Sequence, residues 1–251
     1  MKERPSLSRT AAEFALIVVG VVAALGVDRW VQGIDDARAE HEYLTLVLAD
    51  VEANAVIFEG MVRDWETAGE AASALKGALS QHVRPSDSGL WMAVARAGTV
   101  NTVPARDASF RDLEATGNVR LISDRELRAQ IVAYFTQDIR FGRPIIEDRL
   151  DLRFRTFSRE RVPADLGSHR ELCPAGTPPF DCQVADAPRA DALWQSLNGD
   201  AALLRVLNVA HADAISAAGV ARVWLERTDR LRSRLHEVLD GQGRDAVRDQ
   251  V

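Results

Sequence analysis

The run Phe14–Val27 has fourteen residues without a polar side chain, and no other feature constrains the fold of the chain as strongly. Nine of these residues are Phe, Leu, Ile or Val, which favours entry into a membrane by about 3–5 kcal/mol. Extending the run to residues 11–31 gives 21 residues, enough for the ~20 that a span needs. Glu13, Asp28 and Arg29 then fall near the headgroups, where charge costs less. We therefore predict a transmembrane helix over residues 11–31, anchored by Phe14, Leu16, Ile17, Val18, Val19, Val21, Val22, Leu25 and Trp30.

Basic residues before the run predict its orientation. Lys2, Arg4 and Arg9 precede it, so the positive-inside rule places residues 1–10 in the cytoplasm as a short tail and residues 32–251 in the periplasm. We expect a single-pass protein of a bacterial inner membrane, since arginine almost replaces lysine, as is typical of GC-rich bacterial genomes. Two alternatives stay open: a cleavable signal peptide and a buried helix of a cytosolic protein.

Gly20 and Ala24 form a small-xxx-small pair within the predicted span. Such pairs let two membrane helices approach closely. One pair is weak evidence, because most are tolerated without any contact. A helix–helix contact in the membrane through Gly20 and Ala24 is therefore a hypothesis.

Composition favours an all-α fold for the rest of the chain. Hydrophobic residues make up 47% and charged residues 27%, as in globular proteins. Aromatic residues are only 6%, while Ala, Leu and Val abound, which favours helix over strand. The net charge of −6 gives no overall attraction for nucleic acid, so we expect no nucleic-acid partner.

Two long heptad stripes predict long helices. In each stripe apolar or small residues alternate in steps of four and three. We expect the stripes to face each other within an antiparallel helical bundle, with an intermolecular coiled coil as the alternative. The first consists of Leu44, Leu48, Val51, Ala55, Phe58, Val62 and Trp65, and the second of Leu203, Leu207, Ala210, Ala214, Ala217, Ala221, Trp224, Thr228, Leu231, Leu235 and Val238.

Two short helices and a third long helix are expected between the two stripes. One is predicted over Ser88–Ala97 and another over Ala108–Ala115, with Gly117 as its end. Ser123 and Glu126 have capping-box spacing and predict the start of a third helix, in which the serine hydroxyl caps the first turn.

The only two cysteines lie in a proline-rich loop at residues 163–190. In an oxidising compartment Cys173 and Cys182 are expected to form a disulfide, which contributes about 2.5–3 kcal/mol in the chain-entropy model. A zinc site with His169 is disfavoured, because a fourth ligand and a close cysteine pair are missing.

No catalytic motif is recognisable. The chain has no GxSxG elbow, Walker loop, GxGxxG fingerprint or HExxH helix. The histidines are scattered, and His211, beside the alanine-rich stripe, is interpreted as a packed residue rather than a base. We therefore predict no catalytic residue, no cofactor, no metal ligand and no enzyme activity.

Two segments together carry a family resemblance. They are Glu13–Trp30, with the helix that follows it, and Phe110–Phe135. The chain resembles a family of bacterial membrane-anchored proteins, the domain of unknown function 6090. The resemblance covers about half the chain and implies the anchored topology but no activity; Asp28-Arg29 and the cysteine loop depart from it. Its more specific signature falls on Asp112, Leu113, Thr116, Gly117, Asn118, Leu121 and Ile122.

These features predict a protein-interaction or scaffold module. The tail of ten residues is too short to signal inward, the helices are long and no catalytic constellation is present. The expected partners are the lipid bilayer and another protein or further copies of the chain. The alternative is a periplasmic small-molecule sensor, in which a helical bundle binds a ligand between its helices.

Overall fold

The computed structural model describes residues 7–99, 103–140, 153–161, 177–183, 187–198 and 200–248. In these ranges the chain is all-helical and has no strand, as predicted from composition. The seven α-helices are α1 (Leu7–Gln81), α2 (Asp87–Ala97), α3 (Ala108–Thr116), α4 (Arg125–Ala133), α5 (Arg153–Arg161), α6 (Asp191–Asn198) and α7 (Ala201–Arg248). A π-helix (Tyr134–Arg140) continues α4, and short 3-10 turns cover Asn118–Leu121 and Pro179–Asp181.

Helix α1 joins the apolar N-terminal run to the packed core without a break. It has 75 residues, about 112 Å at 1.5 Å per residue. Proline is absent throughout this stretch, and the helix passes Gly33 uninterrupted. Residues 16–38 are exposed, and Glu40, only 7% exposed, is the first buried residue. One helix therefore presents bare apolar surface in one part and core packing in the other.

Helix α7 packs along α1 in the opposite direction. His41, near the start of the packed part of α1, hydrogen-bonds Gln242 near the end of α7. Lys76, near the end of α1, donates to Asn208 near the start of α7. Both predicted stripes lie in the interface: all their residues are buried except Leu48, Val62, Ala210 and Val238, which are half-buried. Small residues at Ala214, Ala217 and Ala221 let the helix axes approach.

The shorter helices complete two apolar clusters against this pair. Helices α3 and α4 add Phe110 and Ile131 to the cluster around Phe58, and the π-helix adds Phe135. Phe110 and Phe135 stack with ring centroids 5.0 Å apart, and Tyr134 meets Phe135 edge-on. Helices α2, α5 and α6 form the second cluster at the other end of the α1–α7 pair.

The structure confirms one predicted helix boundary and corrects another. Gly117 ends α3 in the left-handed conformation with φ of 71°, which glycine adopts without strain. The predicted serine cap of the next helix is wrong. The N-cap is Asp124, whose carboxylate accepts from the backbone N–H groups of Glu126 and Leu127. The Ser123 hydroxyl is used instead in a contact with Glu40.

Helix α5 crosses the end of α2 so closely that only glycine fits there. A Cβ at Gly98 would lie 2.4 Å from the Cβ of buried Ser158. We expect Gly98→Ala to lower the free energy of unfolding by about 1–3 kcal/mol, because a close contact forces backbone shifts. Urea denaturation followed by circular dichroism measures this change.

Gly219, inside α7, is the matched control. A Cβ there would meet no atom within 4 Å. Gly219→Ala is expected to raise the free energy of unfolding by about 0.5–1 kcal/mol, since alanine loses less backbone entropy in a helix. Equal effects of the two substitutions would contradict the close packing of α5 on α2.

Candidate functional site

The predicted anchor residues lie on a bare section of α1. Leu16, Ile17, Val18, Val19, Val21, Val22, Leu25 and Trp30 are all exposed, with Leu16 at 76% and Trp30 at 69%; Phe14 lies where only the backbone is described. Two described helices are long and apolar enough to cross a membrane. The apolar 18-residue segment of α1 has a mean hydropathy of 1.6, and none of it is buried. The corresponding segment of α7 has a mean hydropathy of 1.2, and 28% of it is buried. A signal sequence and a core helix meet the same criterion.

The small-residue pair also lies on open surface. Gly20 and Ala24 are exposed, and a Cβ built at Gly20 would meet no atom within 4 Å. Within the described part of the chain, no other segment packs on them. The pair is thus free to meet another helix, and its role in a contact stays a prediction.

The described part of the cysteine loop is fastened to α2. Arg96, only 3% exposed, donates through Nη1 to the Thr177 carbonyl at 2.7 Å and through Nη2 to Cys182 Sγ at 3.8 Å. Burial lowers the pKa of Arg96, and the charge of Glu70 partly offsets that effect. Cys182 is buried against Met92. Cys173 lies outside the described residues, so the disulfide between the two cysteines stays a prediction.

A second set of contacts holds residues 187–190, the other described part of that loop. The Trp91 indole donates to the Pro188 carbonyl at 2.8 Å. The Asp87 carboxylate accepts from the Ala190 backbone N–H and from Arg84, and these two bonds hold its pKa below the ordinary value, Arg84 contributing most. The two described parts of the loop, residues 177–183 and 187–190, are therefore both fixed on α2.

Hydrogen bonds from the segments before α3 and α4 hold them against the buried part of α1. Asn118 donates its amide to the Tyr43 hydroxyl at 2.8 Å. The backbone N–H and hydroxyl of Ser123 both donate to one Glu40 oxygen, at 2.8 and 2.9 Å. Asn54, fully buried, exchanges two hydrogen bonds with the Arg106 backbone. These contacts satisfy polar groups that would otherwise be buried without partners, which is a structural role.

A cleft opens between α1 and α7, in the half of their interface that lies nearer the C-terminal end of α1. It has a volume of about 580 Å³, and its walls include Trp65, Glu70, His211 and Ile215. His211 Nδ1 lies 2.8 Å from the Gly69 carbonyl oxygen. Since a carbonyl only accepts, Nδ1 carries the proton and Nε2 is the free acceptor of the neutral ring. The structure therefore places His211 half-buried at the rim of a cleft, as a positioned residue.

A larger open cleft of about 940 Å³ lies between α4, the π-helix and α7. Its charged groups largely neutralise one another. Arg234 contacts Asp124 at 2.9 Å and Glu237 at 3.1 Å, and Arg232 lies 2.9 Å from Asp229. The pKa of Asp124 lies below its ordinary value, chiefly because the Leu127 backbone N–H donates to it. This cleft therefore presents no surplus of either charge.

The remaining titratable groups form no recognisable catalytic or metal centre. No group of three or more His, Cys, Asp or Glu residues that could hold a metal ion occurs among the described residues. His82 contacts the Asn198 side chain and His236 lies 3.4 Å from Glu52, each on exposed surface. His169 lies outside the described residues. The chain matches no family model, no curated protein and no solved structure.

Proposed function

We propose that the chain is a single-pass membrane protein whose periplasmic part is an antiparallel helical bundle acting as an interaction or scaffold module. The observation that carries the proposal is the division of α1 into an exposed apolar section and a buried one. A contiguous apolar surface of this kind is unfavourable in water and marks a membrane or protein contact. Lys2, Arg4 and Arg9 before that section support a cytoplasmic N-terminus.

The topology is tested by reporter fusions to Val251. Alkaline phosphatase, which is active only outside the cytoplasm, should be active at this position, and a cytoplasmic fluorescent or β-galactosidase reporter should not. Fractionation that finds the intact chain soluble in the cytoplasm would overturn the proposal. Release of a shortened chain into the periplasm would instead support a cleaved signal peptide.

We propose that the module's partner is a second copy of the chain. Helix α1 carries a second heptad stripe on the face opposite its core, which we call the outer stripe: Leu46, Ala49, Ala53, Val56 and Gly60. Leu46 is 54% and Val56 is 67% exposed. Two copies anchored by the same segment lie parallel and in register, which suits a heptad seam. The second copy also brings another Gly20/Ala24 pair to the same depth in the membrane.

Disrupting the outer stripe is expected to abolish this self-association. Leu46→Glu with Val56→Glu puts like charges into the seam, so the purified protein in detergent should change from dimer to monomer in light scattering. Val83→Glu is the matched control, because Val83 is also exposed at 60% but lies beyond α1. A wild-type protein that is monomeric in detergent and uncrosslinked in membranes would contradict the dimer without touching the topology.

The second candidate function is ligand binding by the helical bundle. The cleft between α1 and α7 favours it, because ligand sites in bundles lie between facing helices. Its volume of about 580 Å³ falls in the range of small-molecule pockets.

A further inference from the structure

The cleft between α1 and α7 lies beside Gly69, where α1 has no side chain. A Cβ there would lie 3.5 Å from the Ala214 Cβ and 3.8 Å from His211 Nδ1. The two helices therefore approach each other at Gly69. Larger side chains line the recess beside it, and no described residue fills this recess. Trp65, Ile215 and Ala218 supply apolar walls. Trp65 is nearly fully buried, so it closes the inner side of the recess.

Some polar groups of the cleft have a partner among the described residues, and others do not. Glu66 and Arg222 bind each other and neutralise their charges. Glu70 has no hydrogen bond or ion pair with any described residue. Its charge acts on Arg96, which is buried on α2 and does not line the cleft. His211 is held through Nδ1, which leaves Nε2 as an acceptor. The groups left open to a ligand are thus mainly acceptors, together with the Ser73 hydroxyl.

We propose that this cleft binds a small organic cation with a primary ammonium group. An ammonium has three donors and no acceptor, which matches Glu70, His211 Nε2 and Ser73. A short alkyl body would lie against Ile215, which lines the cleft and is 58% exposed. The inference gives a chemical class to the second candidate function, and it does not depend on self-association through the outer stripe.

Isothermal titration of the full-length protein in detergent tests the proposal, with n-butylammonium as the probe and butyrate as its anionic counterpart. Saturable binding of n-butylammonium and none of butyrate are expected. Glu70→Gln should weaken the binding at least about tenfold, since a charge-assisted hydrogen bond is lost. Glu59→Gln removes another exposed carboxylate of α1 outside the cleft and should leave the affinity unchanged.

Three results would overturn the proposal. They are absence of saturable n-butylammonium binding by the wild type, equal affinity of the Glu70→Gln and wild-type proteins, and tighter binding of butyrate. Thermal unfolding of Glu70→Gln is the folding check, and a cooperative transition with at most a small fall in Tm is expected, because Glu70 is exposed and only its charge acts on buried Arg96. A second variant, Ala74→Trp, fills the recess while leaving every charge in place, and it should also abolish binding.

Discussion

The double substitution Val19→Arg/Val22→Arg is expected to release the chain from the membrane. Each arginine near the middle of a membrane helix costs about 2.5–3.5 kcal/mol on the insertion scale. The pair therefore opposes insertion by about 5–7 kcal/mol, more than the 3–5 kcal/mol contributed by the nine large apolar residues of the run. Carbonate extraction of membranes, followed by immunoblotting of pellet and supernatant, measures the result.

Val19→Leu/Val22→Leu is the matched control and should remain in the membrane pellet. Both valines are exposed and touch no part of the core, so neither double variant should change the far-UV circular dichroism of the packed helices. An arginine variant that stays in the pellet after carbonate treatment would show that residues 11–31 are not what holds the chain there.

Phe135→Ala should be the most damaging single substitution in the core. Phe135 is fully buried, stacks on Phe110 with centroids 5.0 Å apart and meets Tyr134 edge-on. Removing a buried phenylalanine costs about 3–5 kcal/mol through lost transfer energy and the cavity left behind. Because domains are stable by only about 5–15 kcal/mol, a large part of the stability should disappear. Urea denaturation in detergent, followed at 222 nm, gives the change.

Phe157→Ala is the comparison for this prediction. Phe157 also stacks on a neighbouring ring, Phe154, but it is only half-buried, and Arg161 covers its face. Phe157 buries less apolar surface than Phe135 does, so Phe157→Ala should destabilise the protein less than half as much as Phe135→Ala. Equal losses would mean that α4 and the π-helix are not part of the central core.

The long helices could be predicted because periodic patterns extend over many residues. The alternation of four and three in α7 continues from Leu203 to Val238, and the structure buries that face. The sequence signals for individual helix ends predicted one end correctly and another wrongly. Gly117 ends a helix as predicted, but two adjacent residues, Ser123 and Asp124, could each cap α4. The choice depends on Glu40, 83 positions away along the chain, which takes both donors of Ser123.

Other features had no usable local signal. The π-helix at Tyr134–Arg140 begins at a residue whose hydroxyl bonds Thr228, 94 positions away along the chain. The cleft depends on Gly69 and His211 meeting across an interface, 142 positions apart. His211 could be singled out as packed, but its orientation by a backbone carbonyl appears only when α1 and α7 are placed together.

The unbroken course of α1 fixes more than distance. Because α1 is continuous, the exposed residues 16–38 and the packed part of the helix have a fixed rotational relation about the helix axis. Each residue turns the helix by about 100°. If a neighbouring membrane protein rotated residues 16–38 or shifted them along the helix axis, the movement would reach the interface with α7, because α1 has no break between the two parts.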